Sequence, residues 1–341
     1  MSDFVSLALP EAQLADYLQA HVAGFRGPLH ATKFKGGQSN PTYLIEAASG
    51  KYVLRRKPPG KLLASAHAVD REFRVLAALA HSGIPVARPL HLCADESVVG
   101  SMFYLMSYVP GRIYFDPSLP DLAPETRAAH YSAVLDVLAN LAKLDVAAVG
   151  LTEYGKPGNY FARQVVRWSE QYRAAETERI EPMESLLTWL PQAVPADDGR
   201  IALVHGDFRI DNLIWSENAT GIAAVVDWEL STLGHPFSDI AYFCMALRLP
   251  RNPVLPGLAG IDRAALGIPD ENALLARFVA ATDLDPRPYW NFLLAFQFFR
   301  LAAIAQGVLT RALQGNAANE QALAAGRMTR TIAQLGVAAL G

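Results

Sequence analysis

Apolar positions change period along this chain, and the changes divide it. Residues 10 to 22 have the spacing of a short amphipathic helix. The pattern then alternates, as strands do, over Ala31–Phe34, Thr42–Glu46 and Lys51–Arg55, with the breaks FKGGQSNP and AASG between them. Helical spacing returns from Ala68 to Ala80 through Val69, Phe73, Leu76 and Leu79. Two further strands are expected at 88–94 and 101–109, and the turn VPGR closes this half. Beyond it the period is mostly helical, over roughly 124–145, 158–175, 181–190, 236–247, 271–281, 288–312 and 317–339. Residues 201–227 interrupt it and read as strand, loop, short strand, turn and strand. The pattern predicts an α+β chain: a sheet-rich N-terminal lobe over 1–108 with one helix after its first strands, then a larger, mainly helical lobe over 109–341.

Composition narrows the function classes. With 341 residues, 51% hydrophobic and 18% charged, the chain can bury a sizeable core. A net charge of −3 offers no basic excess for a nucleic-acid partner. Only Cys93 and Cys244 occur, so a disulfide framework is not expected and a reducing cytoplasm fits. The N-terminus has no basic stretch followed by an apolar core, so no signal peptide is expected. Residues 290–309 are apolar enough to suggest a membrane span, but Arg300 lies near their centre. A charge there costs about 2.5–3.5 kcal/mol on the mildest insertion scale. A buried core helix is the better reading.

The chemistry concentrates in HGDFRIDN, residues 205–212, and AVVDWEL, residues 224–230. Asp207 and Asn212 stand five apart in a loop after an apolar strand, and Asp227 ends a second strand fifteen residues later. Phosphoryl transfer from ATP needs a carboxylate to orient a hydroxyl and take its proton, oxygen ligands for Mg²⁺, and a cation against the transferring group. Asp207, then Asn212 with Asp227, then Arg209 supply these in order, in the grammar of the protein-kinase catalytic set. A polar turn and a strand-end acid explain each piece alone, but not their joint order. No His/Cys cluster has zinc spacing and no G-x-S-x-G elbow occurs.

These motifs, with YVLRRKPPG, HAVDREFRVLAAL and YLMSYVPGR, resemble the aminoglycoside phosphotransferase family, the choline-kinase-like or protein-kinase-like small-molecule kinases. The resemblance covers nearly the whole chain. It is nearest to the phosphotransferase domain that some members carry ahead of an acyl-CoA dehydrogenase. It implies a two-lobe kinase-like fold with ATP as donor. It also implies nucleotide contacts from the hairpin Gly36, Gly37, Gln38, Ser39 and Asn40, and from Arg55 with its helix partner Glu72. The interlobe segment Met106, Ser107, Tyr108 and Val109 would meet the adenine. Arg55 departs from the lysine of protein kinases; its fork can still hold phosphate, although Arg56 and Lys57 are adjacent candidates. The acid matching Asp239 hydrogen-bonds the catalytic loop in that fold; capping a helix start is the alternative reading.

The acceptor is less legible. Aminoglycosides are polycations and call for an acidic pocket. Residues 112–195 hold 11 acidic against 8 basic residues, and residues 231–341 hold 7 against 9. Arg163 and Arg167, four apart on one helix, and Arg300 inside an apolar helix suggest instead an anionic acceptor. An internal salt bridge is the equal alternative for Arg300. The dehydrogenase-fused relatives make a hydroxyacyl-CoA the first suggestion. Three rivals stand: an aminoglycoside kinase, a nucleotide-binding module without transfer activity, and a protein kinase, which would need D-F-G and then A-P-E after the catalytic loop; this chain has no D-F-G, and its A-P-E, Ala123–Glu125, lies ahead of that loop. No nucleic-acid or membrane partner is expected.

Overall fold

The alternating segments near the N-terminus build one antiparallel sheet. Its strands are β1 (Leu29–Lys33), β2 (Thr42–Ala47), β3 (Gly50–Arg56), β4 (Pro89–Cys93) and β5 (Phe103–Ser107), in the order β1-β2-β3-β5-β4. The structure, a computed structural model, describes residues 8–34, 40–58, 68–217, 221–252, 254–314 and 320–340. Two helices accompany the sheet, where helical spacing at 10–22 and at 68–80 placed them. Helix α1 (Glu11–His21) sends Leu14 and Leu18 into a core with Leu29, Tyr43, Ile45, Leu54, Phe103 and Leu105. Helix α2 (Val69–Leu79) buries Val69, Glu72, Val75, Leu76 and Leu79, and packs against β4 and β5. A glutamate on that buried face demands a partner.

The chain forms two compact units. One comprises Met1–Arg112, Val149–Leu151 and Ile214–Leu230; the other comprises Ile113–Ala148, Thr152–Leu213 and Ser231–Gly341. A division at 108/109 by chain order is coarser than this, because the sheet unit also takes in the segment that carries Asp227.

In the second unit the helices are α3 (Pro124–Ala142), α4 (Tyr160–Ala175), α5 (Glu181–Ala193), α6 (Phe237–Met245), α7 (Glu271–Thr282), α8 (Trp290–Leu313), α9 (Glu320–Arg327) and α10 (Thr329–Ala338). The apolar run at 290–309 is the centre of this unit: α4, α5, α6, α9 and α10 all pack on α8. By length and composition the helix through this region could cross a membrane, but 78% of its most apolar window is buried inside the protein. The helix expected over 317–339 is two helices, broken at Met328.

The interruption at 201–227 holds β6 (Ala202–Val204), β7 (Leu213–Trp215) and β8 (Ile222–Val225), with β7 pairing β8. An unexpected strand, β9 (Thr232–Gly234), pairs antiparallel with β6 in the register Ala202–Gly234, Leu203–Leu233 and Val204–Thr232. Three residues are too few for a periodicity to register. This pair fixes the point from which the chain enters His205.

A side chain at Gly234 would break that arrangement. An added Cβ would stand 2.6 Å from the Tyr160 ring and 2.8 Å from Val204 Cγ2. Overpacking of this kind costs about 1–3 kcal/mol. Gly234→Ala should therefore lower the melting temperature by several degrees, read by differential scanning calorimetry.

Candidate active site

In the helical unit the loop after β6 is held from beneath by one face of α6. Asp239 lies in the first turn of α6 and is buried. Its Oδ2 accepts the backbone N–H of His205 at 2.7 Å, and its Oδ1 accepts that of Gly206 at 2.9 Å. Burial raises its pKa, opposed by His205 and by these two N–H groups. Asp239 therefore grips the loop rather than capping its own helix. His205 is fully buried, and its Nδ1 lies 3.2 Å from the Asp207 backbone nitrogen, a loop-shaping position.

Asp207 is half-buried and both of its carboxylate oxygens are engaged. Oδ1 accepts from the Tyr242 hydroxyl at 2.6 Å and pairs with Arg209 Nε at 3.3 Å. Oδ2 accepts from Asn212 Nδ2 at 3.1 Å, and the same amide nitrogen donates to the Asp207 carbonyl at 2.8 Å. A 3₁₀ turn over Ile210–Asn212 brings Asn212 back to Asp207. With Nδ2 so occupied, Oδ1 is the amide atom that can serve a cation. Arg209 also pairs with Asp211 at 3.0 Å.

Beside this loop, and within the same unit, opens a recess lined by Phe208, Arg209, Asp211, Tyr242, Phe243 and Leu301 among others. The rest of its wall comes from apolar side chains, including Leu247, Leu249, Leu255 and Leu258. Its one carboxylate, Asp211, is paired with Arg209. A recess of this character suits an apolar body and ill suits a polycation.

The three arginines expected to select an anionic acceptor do not join at this recess. Arg163 donates to the carbonyls of Lys156 and Pro157 and lines a different recess, of about 600 Å³, around His235. Arg167 lies over the Trp168 ring. Arg300 is buried; its Nη2 donates to the Gly206 carbonyl at 2.6 Å, and its guanidinium stands 5.5 Å from the Trp168 ring centre and 5.3 Å from that of Tyr242. Its partners are thus a loop carbonyl and two aromatic faces. They are neither the acceptor subsite nor the internal salt bridge that its position in an apolar helix suggested.

In the sheet unit, Arg55 at the end of β3 is the hub of an acidic cluster. Its Nε pairs with Glu72 at 2.9 Å, and its Nη2 pairs with Asp227 at 2.7 Å and with Glu229 at 3.5 Å. Strand alternation resolves the choice among the three adjacent cations. Arg56 points the other way, is buried, and donates to the Val99 carbonyl at 2.6 Å. Lys57 lies 3.9 Å from Asp70. Burial opposes the charge on Arg55, but Glu72 and Asp227 outweigh it and its pKa rises. Burial lifts the Glu72 carboxyl to about 7; Arg55 pulls against this, while Asp227 and Glu229 push with it. Glu72 also accepts from Asn40 at 2.8 Å and from the Tyr104 hydroxyl at 3.1 Å. Asn40, expected to face a nucleotide, is instead buried against Glu72.

Asp227 adopts φ +66, a left-handed conformation uncommon outside glycine. Such strain concentrates at sites where a side chain must be aimed. Its side chain is about a third exposed, so a carboxylate oxygen can meet a ligand. The Asp227 carboxylate offers hard oxygens, the type that Mg²⁺ takes alongside phosphate and water. Of the expected adenine-facing segment, Met106 and Ser107 end β5, and Ser107 exchanges bonds with Arg88 through its N–H and its Oγ. Tyr108 is exposed and Val109 is half-buried. Gly36, Gly37, Gln38 and Ser39 lie outside the described residues.

Two contacts escaped the motif reading. Tyr242 follows Asp239 by three residues on α6, a spacing that puts both on one face, but a tyrosine in an apolar helix carries no signal of its own. Glu229 follows Asp227 by two and was not weighed.

Comparison with known proteins agrees with this geometry. Residues 30–261 match the phosphotransferase enzyme family. Acyl-CoA dehydrogenase family member 10 of Mus musculus is 47% identical over 332 residues, covering 97% of this chain and 31% of that protein. The chain thus spans about a third of the length of that relative. A crystal structure of a putative aminoglycoside phosphotransferase from Ralstonia eutropha superposes with TM-score 0.89 at 43% identity, covering 98% of each chain. A ternary complex of the aminoglycoside phosphotransferase APH(4)-Ia with AMP-PNP and hygromycin B shares the fold alone, at TM-score 0.62 and 14% identity, covering 96% of this chain and 97% of the other. With a protein-kinase-like architecture, an antiparallel sheet followed by a helical unit, the chain belongs to the phosphotransferase enzyme family.

Proposed function

We propose that this protein is an ATP- and Mg²⁺-dependent phosphotransferase that moves the γ-phosphate to a hydroxyl of a small-molecule acceptor with an apolar body. The observation that carries the reading is the state of Asp207. Its carboxylate is oriented by two hydrogen-bond donors and an ion pair beside an apolar recess, as a group must be if it is to receive a proton from a positioned hydroxyl. A polar surface turn would not hold an acid this way.

Each group then has a task. Asp207 orients the hydroxyl and takes its proton. Arg209, partly exposed beside it, offsets charge on the phosphoryl group. Arg55, held by Glu72, binds nucleotide phosphate as the fork of a guanidinium allows. Asn212 and Asp227 supply oxygens to Mg²⁺, which when bound neutralises charge on the phosphates. Met106, Ser107, Tyr108 and Val109 are the proposed adenine segment. A nucleotide-binding module without transfer has no use for an acid oriented in this manner. The complex of APH(4)-Ia with AMP-PNP supports ATP as donor.

The acceptor class follows from the recess. One paired carboxylate among apolar walls argues against an aminoglycoside. The name of the mouse relative places acyl-CoA chemistry in that protein. A hydroxyacyl-CoA is therefore the first acceptor to test, its acyl chain against the apolar wall. The deciding experiment is an ATP-consumption screen over hydroxylated metabolites: hydroxyacyl-CoAs, choline, sugars and aminoglycosides. Turnover confined to aminoglycosides would refute the apolar acceptor.

Three variants test the assignments. Asp207→Asn should bind ATP as the wild type does while kcat falls by roughly 10²–10⁴-fold, the range of general base catalysis; wild-type turnover would remove Asp207 from its role. Asp227→Ala should abolish the Mg²⁺-dependent part of nucleotide binding in titration calorimetry, and unchanged Mg²⁺ dependence refutes the metal assignment. Arg300→Met leaves the Gly206 carbonyl without its donor, a loss of about 1–3 kcal/mol. The melting temperature and kcat should fall with the acceptor KM unchanged. A stable variant with a raised acceptor KM would return Arg300 to the acceptor site.

A further inference from the structure

Helix α6 touches the candidate base through a residue with no assigned role. Asp239 and Tyr242, three apart, project from one face of α6 to three consecutive loop residues. Asp239 accepts from the backbones of His205 and Gly206, and Tyr242 donates its hydroxyl to the side chain of Asp207. We infer that Tyr242 is a positioning residue for phosphoryl transfer, its hydroxyl fixing the Asp207 carboxylate in the orientation from which it receives the proton. The inference rests on the proposed role of Asp207 and adds a residue to it.

Three features support the assignment. The O···O distance of 2.6 Å is that of a hydroxyl donating to an ionised carboxylate, the stronger class of hydrogen bond. Burial raises the tyrosine pKa well above its ordinary value, and Asp207 raises it further, so the hydroxyl keeps its proton and acts only as donor. The ring cannot drift. It is buried in α6, and the Arg300 guanidinium lies 5.3 Å from its centre while bonding the Gly206 carbonyl at 2.6 Å. Arg300 thus supports both the ring and the loop.

The other two donors to Asp207 cannot replace this contact. Arg209 Nε is 3.3 Å away, on a side chain more than a third exposed and shared with Asp211. Asn212 holds the opposite oxygen, Oδ2. Removing the tyrosine hydroxyl therefore leaves Oδ1 with Arg209 Nε, an ion-pair partner that makes no hydrogen bond to it, and lets the carboxylate rotate about χ2. A misplacement of this size costs rate and does not alter the fold. Tyr242 also lines the apolar recess, so its ring faces the space assigned to the acceptor while its hydroxyl holds the base.

The test uses the full chain with Mg·ATP and water as acceptor, read as ADP release, alongside the melting temperature. Tyr242→Phe keeps the ring and its stacking on Arg300 and removes only the hydroxyl. The expected result is a kcat about tenfold lower, with the KM for ATP within twofold and the melting temperature within about two degrees of wild type. In the Asp207→Asn background the same change should cost less than twofold, because the bond it removes serves that carboxylate. An unchanged kcat in Tyr242→Phe overturns the inference. So does a loss of fold, or a kcat loss accompanied by a raised KM for ATP and a lowered melting temperature, either of which makes the hydroxyl a structural contact. Should Asp207→Asn alone retain wild-type ADP release, the role of Asp207 fails first, an outcome distinct from a failure of Tyr242.

Discussion

A buried carboxylate accepting two consecutive backbone N–H groups is the interaction on which the helical unit's chemistry depends. Asp239 has little solvent to stabilise its charge, and burial raises its pKa. The N–H groups of His205 and Gly206 are equally costly to leave unmade inside the protein. Each need is met by the other, so the loop can adopt few other shapes without stranding both. Gly206, at φ +85, lets the backbone turn between the two bonds and present Asp207 next. The Gly206 carbonyl, on the other side of the same residue, is taken by Arg300 from α8. The loop is therefore clamped on its N–H side by α6 and on its C=O side by α8, the helix on which α4, α5, α6, α9 and α10 pack.

The sheet unit solves the opposite problem, an excess of negative charge. Glu72, Asp227 and Glu229 gather around one guanidinium. Burial lifts the Glu72 carboxyl to about 7 although it touches a cation, and the neighbouring Asp227 and Glu229 add to the lift. Such a cluster is poised for a further positive charge. A divalent cation at Asp227 would relieve the repulsion that the acids exert on one another, and it would loosen the claim of Asp227 on Arg55. The same cluster with no ligand to receive would be a poor structural device, since a buried ionic group is weak evidence of stability by itself.

Much of this was legible in the sequence, for identifiable reasons. Residues whose chemistry depends on local spacing were readable: Asp207 with Asn212, five apart, meet because the loop returns through a single 3₁₀ turn. Arg55 was separable from Arg56 only through strand alternation, and the choice needed the register of β3 against its neighbours. The rest depended on long-range packing. Arg300 drew attention correctly as a charge in an apolar helix, but its partner, a backbone carbonyl 94 residues away, has no signature in any side chain. Asn40 was assigned by its place in a glycine-rich stretch, while its side chain turns inward to Glu72 on the buried face of α2. Strand β9 was too short to show a period, although it sets the register from which the loop starts.

The placement of Tyr242 also bears on why the recess and the base belong to one apparatus. An apolar cavity by itself is only a place where water is poorly held. An oriented carboxylate by itself can as well be a structural acceptor. Here one side chain belongs to both, its ring in the cavity wall and its hydroxyl on the carboxylate. A body that fills the recess packs against the ring that Arg300 already holds from within, and that packing restricts the ring further. A cavity unrelated to the chemistry would gain nothing from sharing a wall with the base.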